Sequence, residues 1–208
     1  MKFKNPSVVI AIPLAGPMIY WRTVSGLLEL ERPSRSELMV FQGALVDRAR
    51  NYLVEQMLSH PMKATHLFFV DADILLPSDA LMRLLEANAP IVSGLYHKRI
   101  PPHEPMAFTQ GKKGIEPIGL KGPHLREVEM VGAGCLLIQR KVFEKIPFPW
   151  FESRWSKTGH LSEDFHFCRK ARKAGFEILV DRKVRPLHIE PMGIGSDENQ
   201  VASARPLF

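Results

Sequence analysis

The spacing of hydrophobic and polar residues predicts alternating strands and helices in the first half of the chain. Residues 7–13 (SVVIAIP) and 65–72 (THLFFVDA) are apolar runs of strand length, and the second is almost wholly apolar, as in a strand covered on both faces. Residues 43–60 predict a helix, because apolar residues repeat there at every fourth position: Leu45, Ala49, Leu53 and Met57. The other elements predicted in this half are a helix over 20–31, a strand over 37–43, a helix from Pro77 to about Asn88 and a strand over 90–98.

The second half has a less regular pattern. Residues 100–124 are rich in proline, glycine and histidine and predict a long loop with a hairpin. The elements predicted after it are two strands, a glycine-rich turn and a short helix within 127–146, a helix over 162–175 and a strand over 176–184. Residues 191–208 have weak periodicity and predict a loop and a loosely held tail. Strand–helix alternation in a chain of 208 residues predicts one α/β domain with a mostly parallel sheet.

Two carboxylates, Asp71 and Asp73, directly follow the most apolar strand. In an extended chain, residues two apart point to the same side, so we expect both side chains to converge on one ligand. Open α/β sheets bind ligands at the carboxyl ends of their strands. Paired carboxylates suit a hard cation such as Mg²⁺ or Mn²⁺, which keeps positions open for water and phosphate oxygens. The alternative is a solvated turn or a cap for the helix near Pro77.

Composition and charge change this picture little. The net charge of +6, from 28 basic and 22 acidic residues, fits either a mixed surface or an anionic partner. The basic clusters at 96–99 and 168–176 lack the interleaved aromatic residues of a single-strand nucleic-acid binder. No apolar run is long enough to be a transmembrane segment. Cys135 and Cys168 are expected to be free thiols, which favours a cytoplasmic protein.

A second group of polar residues lies far along the chain. Ser162 can cap a helix whose first turn carries Glu163 and Asp164, where acids favour the helix dipole. His188 follows the strand that comes after this helix. Each residue alone has a structural explanation, as part of a helix start or as a polar residue at a strand end. Their order after the acidic pair favours a functional interpretation.

The ordered set of segments resembles family 2-type glycosyltransferases of the GT-A fold. The resemblance covers residues 7–190 and is carried by VVIAIP, the acidic pair after LFFV, VGAGCLLIQRKVFEKI, SEDFHFCRKARKAGFEILVD and His188. It implies a Rossmann-like α/β fold, with a mostly parallel central sheet flanked by helices and a smaller antiparallel region on the acceptor side. It further implies one domain over 1–190, followed by a flexible loop and tail at 191–208. Residues 1–99 would bind the nucleotide-sugar, and residues 100–190 would supply the acceptor and catalytic side.

The resemblance also implies roles for individual residues. Asp71, Asp73 and His188 match the metal site, with Asp73 as the direct ligand and Asp71 nearer the ribose or reaching the metal through water. Asp164 matches the catalytic base of inverting members, and Glu163 supports it or shares its role. The residues expected to bind the donor are Ala11, Ile12, Pro13, Arg50, Asn51, Asp71, Ala72, Asp73 and Lys98.

One departure from the family pattern leaves the nucleotide open. Members commonly carry a DDGS-like acidic segment after the second strand, which grips the base, whereas this chain has MVFQGALVDRARN. Asp47, Arg50 and Asn51 share one helical face. They can replace that grip, with Arg50 over the base or near a phosphate, or they form an exposed charged face. In a later loop, Lys98 and Arg99 either neutralise phosphate or are solvated.

The expected activity is metal-dependent transfer of a sugar from a UDP- or GDP-sugar to an acceptor hydroxyl, with inversion and with Mn²⁺ or Mg²⁺ as cofactor. The acceptor can be a glycan, a lipid-linked molecule, a protein or a modified nucleic acid. The alternatives are a retaining transferase of the same fold and a sugar-nucleotide-binding module with weak catalysis. Trp150, Phe151 and Trp155 form either a stacking platform for a sugar ring or ordinary packing.

Overall fold

A seven-stranded sheet forms the centre of the computed structural model, which describes residues 5–43, 45–112, 114–157, 159–190, 192–196 and 202–206. Its strands, in spatial order, are β2 (Ser36–Gln42), β1 (Val8–Leu14), β3 (His66–Val70), β10 (Cys135–Gln139), β5 (Ile91–Gly94), β13 (Ile178–Asp181) and β8 (Leu125–Glu127). Strands β2, β1, β3, β5 and β13 run in one direction, and β10 and β8 run in the other. The predicted mostly parallel sheet is confirmed.

Helices cover both faces of this sheet. One face packs against α2 (Val46–Ser59), α4 (Arg140–Lys145) and α5 (Glu163–Lys173), and the other against α1 (Trp21–Glu29) and α3 (Ala80–Glu86). Along β3, Leu67 and Phe69 join the first core, while Phe68 and Val70 join the second. Because both faces of β3 are buried, its sequence is continuously apolar rather than alternating.

The pairing of short strands brings distant residues to one edge of the sheet. Strands β1 and β3 pair in parallel, with Ala11 opposite Phe69, so their carboxyl ends lie at the same edge. Asp71 leaves the sheet there. Strand β4 (Ile74–Leu75) then pairs with β14 (Leu187–His188), in antiparallel orientation. Residues Leu187 and His188 are thereby placed beside the segment that follows the acidic pair.

Antiparallel elements lie between residues 100 and 190. Strands β7 (Gly114–Pro117), β6 (Ala107–Gly111) and β9 (Met130–Val131) form a small sheet. Strands β11 (Arg154–Ser156) and β12 (Gly159–Leu161) form a hairpin that leads directly into α5. These elements agree with the expected antiparallel region, and their position on the acceptor side stays a prediction.

Two predicted elements are shorter in the structure. The helix predicted from Pro77 to Asn88 spans Ala80–Glu86. The strand predicted over 90–98 ends at Gly94, because the chain then forms a loop in which His97 makes a single bridge to Pro105. This loop, unlike a strand, can carry side chains to the edge where Asp73 lies.

The loop predicted for 191–208 is wrong in two segments. Met192–Ser196 (β15) and Ala202–Pro206 (β16) pair as antiparallel strands. Glycine, alanine and proline, which are depleted in strands, make up half of these segments, so their composition does not predict strands. The rest of the predicted tail lies outside the described residues.

Cys135 and Cys168 are buried free thiols, and burial raises the pKa of each to about 12. Among the residues that the structure describes, no helix combines the length and the apolar character needed to cross a membrane.

Candidate active site

The two aspartates that follow β3 have different partners. Asp71 Oδ1 accepts a hydrogen bond from Arg50 Nη2 at 2.8 Å, whereas Asp73 Oδ2 lies 3.3 Å from His188 Nε2. Contact of both carboxylates with one ligand stays a prediction. The chain turns after β3, with the backbone N–H of Ile74 donating to the Asp71 carbonyl at 3.1 Å. Residues in a turn do not keep the alternation of an extended strand.

The backbone holds His188 against Asp73. The N–H of Ile189 donates to the Asp73 carbonyl at 2.8 Å, next to the β4–β14 pairing. His188 Nδ1 lies 2.9 Å from the carbonyl oxygen of His97. Because a carbonyl oxygen only accepts, Nδ1 carries the hydrogen, and Nε2 faces Asp73. A histidine held in this way can give up its Nε2 proton and present that ring nitrogen to a metal ion.

Positive charge surrounds Asp73. Burial acts to raise the pKa of this carboxyl, but the hydrogen bond and charge of His188, together with the Arg99 guanidinium, lower it. For His188, burial acts to lower the pKa, and hydrogen bonds to Asp73 and to the His97 carbonyl raise it. His188 and Arg99 therefore both favour the ionised form of the Asp73 carboxyl.

Asp73 and His188 fit a divalent cation as two of its ligands. Neighbouring ligand atoms around an octahedral ion lie about 3 Å apart when each bond is about 2.1 Å, and these two atoms are 3.3 Å apart. Within the described ranges, no three His, Cys, Asp or Glu side chains are grouped so that they could hold one ion. The expected three-ligand set is thus not assembled, because Arg50 holds Asp71 apart. Water and phosphate oxygens would complete a site with two protein ligands.

Arg50 links the acidic pair to the start of α5. Its side chain is buried, and Nε donates to Glu163 Oε1 at 3.2 Å while Nη2 donates to Asp71. Its guanidinium carbon lies 5.2 Å from the centre of the Phe69 ring, and its buried Nη1 has no hydrogen-bond partner among the residues that the structure describes. Burial acts against the charge, but Asp71, Glu163 and Asp164 raise the pKa of Arg50. The exposed charged face is therefore wrong, and we interpret Arg50 as a positioning residue rather than a nucleotide contact.

Asp164 is a buried carboxyl in the first turn of α5. Burial, together with the neighbouring Glu163 charge, raises the pKa of Asp164 to about 6. Its Oδ1 accepts hydrogen bonds from the backbone N–H of Phe165, at 2.7 Å, and from the Ser162 hydroxyl. Ser162 was expected to cap the helix, but its hydroxyl binds Asp164 and no backbone N–H. A carboxylate with this pKa is suited to accept a proton from a hydroxyl group.

Tyr96 belongs to the site although the sequence analysis did not name it. Its hydroxyl accepts a hydrogen bond from the backbone N–H of Gly134 at 2.9 Å, and its ring meets His188 edge to face. A Cβ atom at Gly132 would lie 2.2 Å from the Tyr96 hydroxyl oxygen. The glycines of VGAGC therefore make room for Tyr96. A tyrosine between a buried strand and a basic loop was the available signal.

Asn51 does not face the site. Its amide nitrogen donates to the carbonyls of Asp47, at 2.9 Å, and Phe151, at 2.7 Å. Its oxygen accepts from the backbone N–H groups of Trp150, at 3.0 Å, and Phe151, at 3.1 Å. Both donors and both acceptor positions are used. Asn51 therefore fixes the backbone of the 150–151 segment, and its expected contact with the donor stays a prediction.

Lys98 is directed away from Asp73. Its Nζ lies 2.7 Å from Glu104 Oε2 and 5.4 Å from the centre of the Phe108 ring. The next residue, Arg99, places Nη1 3.2 Å from Asp73 Oδ2. Arg99 is thus the basic residue of this loop that contacts Asp73, and contact of Lys98 with the donor stays a prediction.

The remaining expected donor contacts lie in the second half of β1 or just after β3. Ala11, Ile12 and Pro13 lie at the end of β1 with buried side chains. The Ala72 carbonyl accepts a hydrogen bond from the Thr23 hydroxyl at 2.9 Å. Contact of these residues with a nucleotide stays a prediction.

The three aromatic residues of 150–155 have different environments. Trp150 and Phe151 are buried in the core, which is the packing alternative. Trp155 is 80% exposed on β11, where it stacks on His160 with ring centres 4.3 Å apart. A sugar-stacking platform therefore stays a prediction for Trp155 alone.

No model of a known protein family matches the sequence, and no curated protein compared with it matches either. Solved structures do match. A197 from STIV has a TM-score of 0.65 at 17% identity, over 96% of this chain and 94% of A197. GalNAc-T7, in a structure with UDP, GalNAc and Mn²⁺, has a TM-score of 0.62 at 13% identity, over 89% of this chain and 44% of that protein.

TarS 1–349 of S. aureus, in complex with UDP-GlcNAc, has a TM-score of 0.54 at 13% identity, over 89% of this chain and 59% of TarS 1–349. The chain thus spans about half the length of the GalNAc-T7 and TarS structures, which are both glycosyltransferases. At such identities a likeness shows the fold alone. The chain has the GT-A fold, and membership of the family 2 type stays a prediction.

Proposed function

We propose that the protein is a metal-dependent glycosyltransferase that moves a sugar from a nucleoside diphosphate to an acceptor hydroxyl with inversion. The observation that carries this proposal is the link between two chemical groups. Arg50 contacts both Asp71 and Glu163. Asp71 lies two residues before Asp73, which pairs with His188, and Glu163 lies directly before Asp164. The GT-A fold supports the proposal, because two of its structural neighbours are glycosyltransferases.

The donor would lie at the carboxyl ends of β1 and β3. Asp73 and His188 would hold Mn²⁺ or Mg²⁺, and such an ion stabilises the charge that develops on a departing diphosphate. Asp71 keeps Oδ2 available for a ribose hydroxyl, because Arg50 engages Oδ1. The rigid Arg50 contact fixes this acceptor atom before the donor arrives, which lowers the entropy cost of orienting the donor.

Asp164 would act as the base. Its pKa of about 6 leaves it ionised at neutral pH, yet basic enough to take the proton of an attacking hydroxyl. Glu163 would hold the first turn of α5 in place through Arg50 and so support Asp164 without touching the acceptor. An inverting reaction needs a base and a leaving group on opposite sides of the sugar, and α5 and β4 provide separate supports for them.

We propose UDP- or GDP-sugars as donors, supported by the UDP and UDP-GlcNAc bound in the GalNAc-T7 and TarS structures. The acceptor hydroxyl belongs to a glycan, a lipid-linked molecule, a protein or a modified nucleic acid. We place the reaction in the cytoplasm, because buried free thiols such as Cys135 and Cys168 are typical of reducing compartments.

The first test is donor binding. Thermal unfolding is measured with a panel of UDP- and GDP-sugars, with and without Mn²⁺, and one donor is expected to stabilise the protein only when the ion is present. Asp73→Asn and His188→Ala should lose this stabilisation. Asp79→Asn is the control, because Asp79 pairs with Arg83 at the surface of α3. Stabilisation that persists in both site variants would contradict the ion site, and a panel without any stabilising donor would contradict the proposed function.

The second test is turnover. The stabilising donor is incubated with Mn²⁺ and candidate acceptors, and released nucleoside diphosphate is measured. NMR of the product sugar then distinguishes inversion from retention. Slow release with water alone supports a transferase, whereas tight binding without release would favour a binding module.

A further inference from the structure

Arg99 occupies a position that the proposed ion site leaves unexplained. Its Nη1 lies 3.2 Å from Asp73 Oδ2, the same oxygen that faces His188 Nε2. A divalent cation between Asp73 and His188 would meet this guanidinium at close range. Two positive charges at that distance repel each other, so Arg99 and the ion compete for one carboxylate oxygen.

The loop that carries Arg99 allows it to move while its base stays fixed. The Arg99 side chain is 41% exposed, and Ile100 beside it is 75% exposed. The base of the loop is closed by the Lys98 N–H, which donates to the Glu104 carbonyl at 2.9 Å, and by the Lys98–Glu104 ion pair. Displacement of Arg99 therefore breaks one ion pair and leaves the fold of the loop intact.

A displaced Arg99 would remain beside the ion and beside the diphosphate that the ion binds. Guanidinium groups bind phosphate oxygens through two parallel hydrogen bonds, which makes a diphosphate a suitable new partner. Lys98 cannot replace Arg99, because Glu104 and the Phe108 ring already engage its ammonium group.

We propose that Arg99 is an internal counter-ion of Asp73 which the divalent cation displaces and the donor diphosphate then binds, so that ion and nucleotide bind cooperatively. This inference rests on the proposed function and adds a coupling residue to it. Without nucleotide, Arg99 weakens ion binding. With nucleotide, Arg99 gains a phosphate partner, and the competition is relieved.

The test is calorimetric titration of Mn²⁺ alone, of the nucleoside diphosphate alone, and of each in the presence of the other. The nucleotide is UDP or GDP, whichever corresponds to the stabilising donor. Arg99→Ala is expected to bind Mn²⁺ alone about three- to tenfold more tightly than the wild type, and the nucleotide with Mn²⁺ about three- to tenfold more weakly. Arg99→Lys keeps the charge, so its affinities for Mn²⁺ and for the nucleotide should lie between those of the wild type and of Arg99→Ala.

Arg83→Ala is the matched control. Arg83 also pairs with an aspartate, Asp79, and its side chain has the same 41% exposure, but it lies on α3 away from Asp73. It should titrate like the wild type. Unchanged or weaker Mn²⁺ binding by Arg99→Ala, with normal binding by the wild type, would overturn the coupling and leave the proposed function standing. Wild type that binds neither Mn²⁺ nor nucleotide would overturn both.

Discussion

Asp71 and Asp73 are two residues apart, yet they lie in contrasting environments. Asp71 contacts Arg50, a buried side chain of the long helix α2 that also holds Glu163 of α5. Asp73 contacts Arg99, whose side chain is 41% exposed on a loop, and His188 at the end of a two-residue strand. One aspartate is fixed by the framework of the fold, and the other is paired with groups that can exchange.

This difference separates two tasks that a D-x-D motif is usually assumed to share. A buried ion pair between helix and strand holds the acceptor atom of Asp71 and the start of α5 in one rigid unit. An exposed pair can open without disturbing the core, which is what binding and release of an ion and a diphosphate require. The contrast predicts that substitutions in the Asp71–Arg50 pair lower stability more than the same substitutions in the Asp73–Arg99 pair.

Arg50→Ala is expected to have the largest effect on stability. It leaves Asp71 and Glu163 without their shared cation, and breaking such a buried pair costs about 3–5 kcal/mol. Since the Asp71 side chain is 30% exposed, water offsets part of this cost. Urea denaturation should give a lower free energy of unfolding, whereas Arg99→Ala should change it by less than about 1 kcal/mol. Equal losses in the two variants would break the comparison.

Asp164→Asn tests the proposed role of Asp164 as the base. The asparagine keeps the shape of Asp164 and its acceptor oxygen for the Phe165 N–H but cannot take a proton. Turnover is expected to fall about 10²–10⁴-fold with unchanged donor affinity. Retained turnover would move the base to Glu163 or indicate a retaining mechanism.

The pH dependence of the wild type gives the matching measurement. Below pH about 6, Asp164 holds a proton and cannot accept another, so kcat/KM should fall with decreasing pH. Because folding raises the pKa of Asp164 from 3.8 to about 6, stability falls as the pH rises from about 4 to about 6, and an asparagine avoids this cost at neutral pH. The variant should therefore be at least as stable as the wild type at neutral pH, and a kcat/KM that does not decrease toward acid pH would contradict the assignment.

Replacing each aspartate separately sharpens the comparison further. Asp71→Ala removes the acceptor of Arg50 Nη2, next to an Nη1 that already has no partner, and should cost about 1–3 kcal/mol. Asp73→Ala should cost less than about 1 kcal/mol, because the Arg99 side chain can turn to water and His188 keeps its hydrogen bond to the His97 carbonyl. Urea denaturation of the two variants in parallel measures the difference. A larger loss of unfolding free energy for Asp73→Ala than for Asp71→Ala would show that Asp73 and its partners stabilise the fold.

The sequence predicts the elements whose hydrophobic residues follow a regular local pattern. The apolar run of β3 and the four-residue period of α2 identify a covered strand and an amphipathic helix, and both are present. The D-x-D after β3 and the acids at the start of α5 identify the neighbourhood of the site, because their places follow from strand and helix ends. Such features depend on local pattern, which a single sequence contains.

A local sequence pattern does not show which distant residues contact each other in the fold. Arg50 and Glu163 are 113 residues apart, and nothing in their spacing pairs them. The expected convergence of Asp71 and Asp73 assumed extended backbone, whereas the chain turns after β3 and the two carboxylates have different partners. Strands β4 and β14, which place His188, have two residues each and carry no periodic signal. Gly132 and Tyr96 meet only in the folded chain.

Trp155→Ala is expected to have the smallest effect on stability and tests an exposed position outside both aspartate groups. Because the Trp155 side chain is 80% exposed and contacts the ring of His160, its loss should change the free energy of unfolding by less than about 0.5 kcal/mol. If Trp155 stacks on an acceptor sugar, KM for the acceptor should rise while donor affinity and kcat stay constant. Phe148→Ala, another exposed aromatic at 62% exposure, is the control for loss of surface area. An unchanged acceptor KM would assign Trp155 no part in acceptor binding and restrict the site to the region between the two aspartates and α5.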